Sequence, residues 1–148
     1  MSKQLLAQYA ANVPRYTSYP TAPHFHPGID AETYAGWLGA LRKGDTLSLY
    51  LHVPYCDRLC WLRACHTKHT LKYQPVKTYV EALLTEIETV GNKVSGDCLV
   101  TAVHFGGGSP TLLAPEDMEA IMQALRSAFN FSPTAEISVE TDPNDLDD

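Results

Sequence analysis

At 148 residues, with 45% hydrophobic and 19% charged side chains, the chain has the make-up of one ordinary folded soluble domain able to bury a core. Its formal charge of −6 argues against general nucleic-acid binding, which needs basic surface to neutralise phosphates. The amino terminus, MSKQLLAQYAANVPRYTSYP, lacks a continuous apolar segment, and no later stretch approaches the ~20 apolar residues that span a bilayer, so a cytoplasmic location with no membrane partner is expected.

The first elements form one expected region, residues 1–45, of arm and helix. PRYTSYPTAPHFHP mixes four prolines with aromatics and histidines, and reads as an extended arm lying over a neighbouring surface. Asp30 is placed to cap a helix running to about residue 42, with Tyr34, Leu38 and Leu41 on one face and Trp37 beside them.

From residue 46 to 148 the pattern alternates. LSLYLHV (47–53) reads as a strand, and a cysteine loop follows it. Pro75 suits the first turn of a helix in which Val76, Tyr79, Val80, Leu83, Leu84, Ile87 and Val90 recur on one apolar face. A second strand over 99–105 ends in Gly106-Gly107-Gly108-Ser109-Pro110. Pro115 opens a helix with Met118, Ile121, Met122, Leu125 and Phe129 on its buried side. A third strand is expected over 137–141, before Asp142-Pro143. The order β-α-β-α-β implies a parallel sheet with right-handed crossovers, hence an α/β fold. Three strands cannot close a barrel, and the chain stops at NDLDD where another helix is expected to start; it reads as the front half of a larger catalytic domain.

The chemistry concentrates in VPYCDRLCWLRACHTKHT. Cys56 and Cys60 are separated by three residues and Cys65 follows, a density of thiols that suits an iron–sulfur cluster or zinc in a compartment where disulfides are improbable. A C-x3-C-x2-C loop would supply three thiolates to three irons of a 4Fe–4S cluster and leave the fourth open to a small ligand. Arg63 stands in the third place, and its protonated guanidinium has no lone pair with which to ligate iron. Cys65, two residues further on, is the alternative third ligand. Cys56, Cys60, Cys65 and His66 could instead hold zinc, although C-x3-C-x4-C-H is not a standard structural-zinc spacing. His52, His66 and His69 are further possible ligands, or simply surface and core histidines. Cys98 reads as a small buried hydrophobe.

On the expected frame the cysteine loop, the triple glycine and Glu140 each lie at the carboxyl end of a successive parallel strand. They should therefore face one mouth, where such sheets build their sites. Taken singly, GGGSP is a strand-to-helix turn and Glu140 a solvated strand end.

Together these residues resemble the radical S-adenosylmethionine enzymes, and among them the oxygen-independent coproporphyrinogen III oxidase family. The resemblance runs from about residue 14 to residue 148 through PRYTSYPTA, LYLHVPYC, the cysteine loop, HFGGGSPT and ISVETDP, in that order. A related heme-chaperone branch has a similar core without the proline-rich arm, and usually carries an aromatic where Cys65 stands. The resemblance implies a partial TIM-type barrel, with a 4Fe–4S cluster and S-adenosyl-L-methionine as cofactors. Cys56 and Cys60 match two cluster ligands, and Tyr50, Gly107 and Glu140 match contacts to a first S-adenosyl-L-methionine. Gly108 and Ser109 match contacts to a second, and Leu62 sits where the family has an aromatic contact. The implied reaction is hydrogen abstraction from propionate side chains of coproporphyrinogen III, which lose carbon dioxide and become vinyls. An electron donor for the cluster and a monomeric state when complete are also implied. Arg15, with Tyr16 and Tyr19, either pairs with a substrate propionate or satisfies local backbone. Because Arg63 and Leu62 depart from the pattern, the expected activity of this chain is impaired. The alternatives are an inactive truncated remnant, a heme-chaperone-like protein and a small zinc-binding module.

Overall fold

The computed structural model describes residues 21–58, 66–95 and 97–142. Arg15, Cys60, Leu62, Arg63 and Cys65 lie outside the described residues. Contacts divide the chain into two units, one up to Ala31 and one from Glu32 onward. Among the described residues of the first, a 3-10 turn, Ala22–His24, is closed by the His24 N–H donating to the Thr21 carbonyl at 2.8 Å.

In chain order the remaining elements are helix α1 (Ala31–Gly39), strands β1 (Thr46–Val53), β2 (Tyr55–Cys56) and β3 (Lys68–His69), helix α2 (Gln74–Gly91), strand β4 (Leu99–Gly107), a 3-10 turn (Pro110–Leu112), helix α3 (Pro115–Ala128) and strand β5 (Asn130–Val139). The main sheet has the order β1-β4-β5 with every pair parallel, and β2 and β3 form a separate parallel pair of two residues each. None of the described helices is long and apolar enough to cross a membrane.

The helix expected to reach residue 42 stops at Gly39, and none of its residues is buried; Tyr34 and Trp37 are exposed. Two causes are visible. Gly36 and Gly39 weaken the helix from within, and beyond it the backbone is held in a turn. There the Arg42 N–H donates to Asp45 Oδ2 at 2.8 Å, the Asp45 N–H donates back to the Arg42 carbonyl at 3.0 Å, and Gly44 takes φ +92°.

The other two helices follow their apolar spacing closely. Val76, Val80, Leu83 and Ile87 of α2, with Ile121 and Leu125 of α3, are buried against Leu51, Val53, Val103 and Phe105 of the sheet. Met118, Met122 and Phe129 are only partly buried at the margin of this core. Cys98 is buried as expected, 3.5 Å from the carbonyls of Arg42 and Ser95. Successive strand residues point to opposite faces, so Ser48, Tyr50 and His52 share the other face of the sheet with Ala102, His104, Glu136 and Ser138. That face is polar, unusual for a parallel sheet, whose strands are ordinarily apolar on both sides.

The third strand begins at Asn130, not Ile137, and ends at Val139. Its pairing with β4 passes from Val100↔Phe131 to Ala102↔Glu136, so five steps along β5 match two along β4. Pro133 lies inside this irregularity, where its missing N–H removes no ladder hydrogen bond.

A buried carboxylate ties the helix starts together. Asp117, in the first turn of α3, accepts from the Tyr73 hydroxyl and from Lys77 Nζ, each at 2.5 Å, while the Ala114 N–H donates to the Tyr73 oxygen at 2.8 Å. The hydrogen bond from Lys77, then that from Tyr73, holds the Asp117 carboxyl below the usual carboxylate range. The Asp117 bond raises Lys77, and burial with Asp117 raises Tyr73.

Candidate functional site

The carboxyl edge of the sheet is stitched together by its backbone. Past the end of β4, the Gly108 N–H donates to the Val53 carbonyl and the Ser109 N–H to the Tyr55 carbonyl, both at 2.7 Å. On its other side the same segment is paired again, with the Lys68 N–H donating to the Pro54 carbonyl at 2.7 Å and the Thr70 N–H to the Cys56 carbonyl at 3.0 Å. Residues 53–56 are thus clamped between the glycine run and the returning leg of the cysteine loop. Cys56, at 5% exposure, is fixed at the edge.

The glycines are required by close approach. A Cβ on Gly106 would lie 2.8 Å from the Tyr50 ring, one on Gly107 would lie 2.8 Å from His52 Cε1 and from the Val53 carbonyl oxygen, and one on Gly108 would lie 2.2 Å from the Tyr55 carbonyl oxygen. Gly107 also has φ +109°, a conformation that side-chain-bearing residues rarely adopt. The space a side chain would take at these glycines is filled by Tyr50, His52 and the 53–55 backbone, and the run from Gly106 to Ser109 is buried.

An acidic and aromatic array stands beside the glycine run. The Glu140 N–H extends the ladder to the Phe105 carbonyl at 2.9 Å, which turns its side chain back so that Oε2 accepts from the Gly107 N–H at 3.2 Å. Oε1 lies 3.4 Å from His104 Nε2, and His104 Nδ1 is 2.7 Å from Ser138 Oγ. The His104 ring stacks on Tyr50, with centroids 5.7 Å apart and planes at 15°. The Tyr50 hydroxyl is 3.1 Å from His52 Nδ1, while His52 Nε2 is 3.1 Å from the His66 carbonyl. A carbonyl only accepts, so His52 Nε2 carries a proton and donates it to the His66 carbonyl. The Tyr79 hydroxyl donates to the His52 carbonyl at 2.6 Å, and burial pushes Tyr79 up to about 12.

Of the residues singled out in the sequence, Tyr50, Cys56, Gly107, Gly108, Ser109 and Glu140 come together at this edge. His69 is engaged at the base of the cysteine loop, its Nε2 donating to the Asp57 carbonyl at 2.9 Å. His104 and Ser138 were missed as members of the array. The signal was present, because His104 pairs with both Tyr50 and Ser138 once three parallel strands are aligned at their carboxyl ends. Chemically, the array offers a half-exposed carboxylate with oxygen lone pairs beyond those engaged by Gly107 and His104. Such a carboxylate can accept further hydrogen bonds from a donor.

No family model matches the chain. It is 49% identical over 134 residues to the oxygen-independent coproporphyrinogen III oxidase of Bradyrhizobium diazoefficiens, covering 90% of this chain and 30% of the relative. Identity to the enzyme of that name from Paracoccus denitrificans is 43% over 143 residues, 97% of this chain and 32% of the relative. With the sequence of that name from Mannheimia haemolytica it is 38%, with 94% of each covered. Among solved structures, coproporphyrinogen III oxidase (HemN) from Escherichia coli, described as a radical SAM enzyme, superposes with a TM-score of 0.81 at 31% identity, over 97% of this chain and 31% of that one. The chain spans about a third of the length of the first two relatives.

Proposed function

The chain belongs to the oxygen-independent coproporphyrinogen III oxidase family, and on that premise we propose that it forms the cofactor-binding front of a cytoplasmic radical S-adenosyl-L-methionine enzyme. The reaction is conversion of coproporphyrinogen III propionates to vinyls. In this reading Glu140 accepts hydrogen bonds from a first S-adenosyl-L-methionine, Tyr50 flanks it, and Gly107 allows its methionine end to approach the backbone. Gly108, Ser109 and Leu62 line the place of a second. Cys56 and Cys60 are cluster ligands, and Arg15 is the candidate partner of a substrate propionate. An electron donor reduces the cluster, and the complete protein is a monomer.

The two cofactors fit unequally. The half-exposed carboxylate of Glu140, held in place by the Gly107 N–H, suits a ligand with donor groups. The thiolate set at C-x3-C-x2-C is one short, because Arg63 occupies the third position. A reduced cluster with S-adenosyl-L-methionine would supply a hydrogen-abstracting radical. What this chain contributes is orientation: the Gly107 N–H fixes Glu140, and the stacked Tyr50 and His104 rings close one side of the array.

The Gly107 to Glu140 hydrogen bond carries the reading. Its test is titration calorimetry of S-adenosyl-L-methionine against the anaerobically reconstituted chain and its Arg63→Cys, Gly107→Val and Glu140→Gln forms. Binding that is lost in Gly107→Val and weakened in Glu140→Gln supports the seat; binding equal in all four refutes it.

A further inference from the structure

Tyr50, His104 and Ser138 form one row across the polar face of the sheet, through the pairings Tyr50↔His104 and His104↔Ser138 on three neighbouring strands. The row ends at Glu140, whose Oε1 lies 3.4 Å from His104 Nε2. Both side chains of that contact are well exposed, 39% for His104 and 49% for Glu140. Pairs so open to water add little to stability, and what remains to the contact is orientation.

The protons can be placed from the distances. The Ser138 hydroxyl has two acceptors in reach, His104 Nδ1 at 2.7 Å and the Val103 carbonyl at 3.5 Å. The shorter contact takes its proton, so Nδ1 of a neutral ring accepts and the ring proton sits on Nε2. The opposite tautomer would turn the Nε2 lone pair on a carboxylate oxygen. A protonated ring carries hydrogen on both nitrogens. In either charge state, therefore, Nε2 faces Glu140 as a donor. The ring plane is set by the stack on Tyr50, at 15°, and Gly106 keeps the space clear: a Cβ there would lie 3.1 Å from His104 Nε2 and 2.8 Å from the Tyr50 ring.

We propose that His104 is a positioning residue for Glu140: its Nε2–H on Oε1 and the Gly107 N–H on Oε2 hold the carboxylate at both oxygens, and the remaining lone pairs are offered in a fixed orientation to the donor groups of S-adenosyl-L-methionine. This rests on the reading of Glu140 as an acceptor for that ligand. A carboxylate held at Oε2 alone can rotate about its last bond, and a ligand must then stop that rotation when it binds. His104 removes the cost beforehand without touching the ligand.

The probe is S-adenosyl-L-methionine, titrated by calorimetry into the full chain after anaerobic reconstitution, in the parent and in the Arg63→Cys form. His104→Leu should weaken binding about fivefold, the range of one hydrogen bond, with the melting temperature unchanged. His104→Gln should bind nearly as the parent does, because its amide nitrogen is as many bonds from Cβ as Nε2 and can donate to Oε1. In a Glu140→Gln background His104→Leu should cost no further affinity, whereas a general structural role would lower affinity in both backgrounds. Nitrogen-15 correlation spectra of the ligand-free chain, with the His104 signals identified by their loss in His104→Gln, should show Nε2 protonated. No binding by the parent and by Arg63→Cys would overturn the ligand seat and the role of His104 in it together. Binding by the parent that is unchanged in His104→Leu, an additive loss in the double variant, or an unprotonated Nε2 would overturn the positioning role alone.

Discussion

Gly108 and Cys56 are packed so closely that a Cβ on the glycine would lie 3.0 Å from the cysteine sulfur, and 2.2 Å from the Tyr55 carbonyl oxygen beside it. The obstacle at Tyr55 is backbone, itself held by the Ser109 N–H at 2.7 Å and followed by a segment bonded to Thr70. It cannot swing aside as a side-chain tip could. Gly108→Ala should therefore cost about 3 kcal/mol, at the upper end of overpacking penalties, and displace the start of the cysteine loop. Chemical denaturation measures the first and iron bound after reconstitution the second. A stability change below about 0.5 kcal/mol, the ordinary surface range, would contradict the packing argument.

Glu140 allows binding to be separated from stability. Its side chain is half exposed and, among the described residues, meets the Gly107 N–H and His104. Glu140→Gln keeps an acceptor for Gly107 but removes the charge, so folding should change by less than about 1 kcal/mol. Affinity for S-adenosyl-L-methionine should fall about tenfold or more, the usual loss for a hydrogen bond to a charged group. Parallel melting and titration of the two proteins decide the matter, and a large loss of stability with unchanged affinity would reassign Glu140 as a structural strand end.

Much of this was legible in the chain, and the exceptions have physical causes. The apolar spacing of Val76, Val80, Leu83 and Ile87 located α2 because those side chains pack on the sheet, whereas Tyr34 and Trp37 had similar spacing and no buried helix face. Periodicity reports amphipathicity and cannot supply the opposing surface. The start of β5 was hidden because Ser132, Pro133 and Thr134 look like a turn, and they lie where the strand departs from regular register. The mouth itself followed from strand order, since parallel strands bring their carboxyl ends together. The Tyr50, His104 and Ser138 grouping needed the register, and the Tyr73, Lys77 and Asp117 grouping joins residues 40 or more positions apart without any motif.

That last cluster has a pH signature. Asp117 has its pKa lowered in the folded state, so its contribution is present above the unfolded value of about 3.9 and lost as pH falls through the folded value. Lys77 and Tyr73 have theirs raised, so their contributions are present below about pH 10 and lost as pH rises through the folded values. Asp117→Asn should thus be less stable than the parent at neutral pH by about 1 to 3 kcal/mol, the cost of spoiling a buried hydrogen-bonded acceptor. The gap should narrow towards both extremes. Urea midpoints across the pH range test this, and a gap that stays constant with pH would show that packing, not the charge network, sets the loss.

The decisive substitution lies in the cysteine loop. Arg63→Cys should raise iron and sulfide per chain after anaerobic reconstitution, with broad visible thiolate-to-iron absorption, because it completes C-x3-C-x2-C and leaves one iron open for S-adenosyl-L-methionine. Cys65→Ser in the parent should change iron content little. Two thiolates from Cys56 and Cys60 do not hold three irons against hydrolysis and oxygen, and for Cys65 to serve as third ligand the loop must close two residues later. The clamp at its base limits that freedom, since Cys56 is bonded to Thr70 and packed on Gly108, fixing where the first sulfur and the returning leg lie. The comparison is iron and sulfide in the parent, Arg63→Cys and Cys65→Ser forms, with zinc measured alongside. A parent that already holds a full cluster and loses it in Cys65→Ser would make Cys65 the third ligand. A colourless parent with stoichiometric zinc would mean that the loop is a zinc site instead.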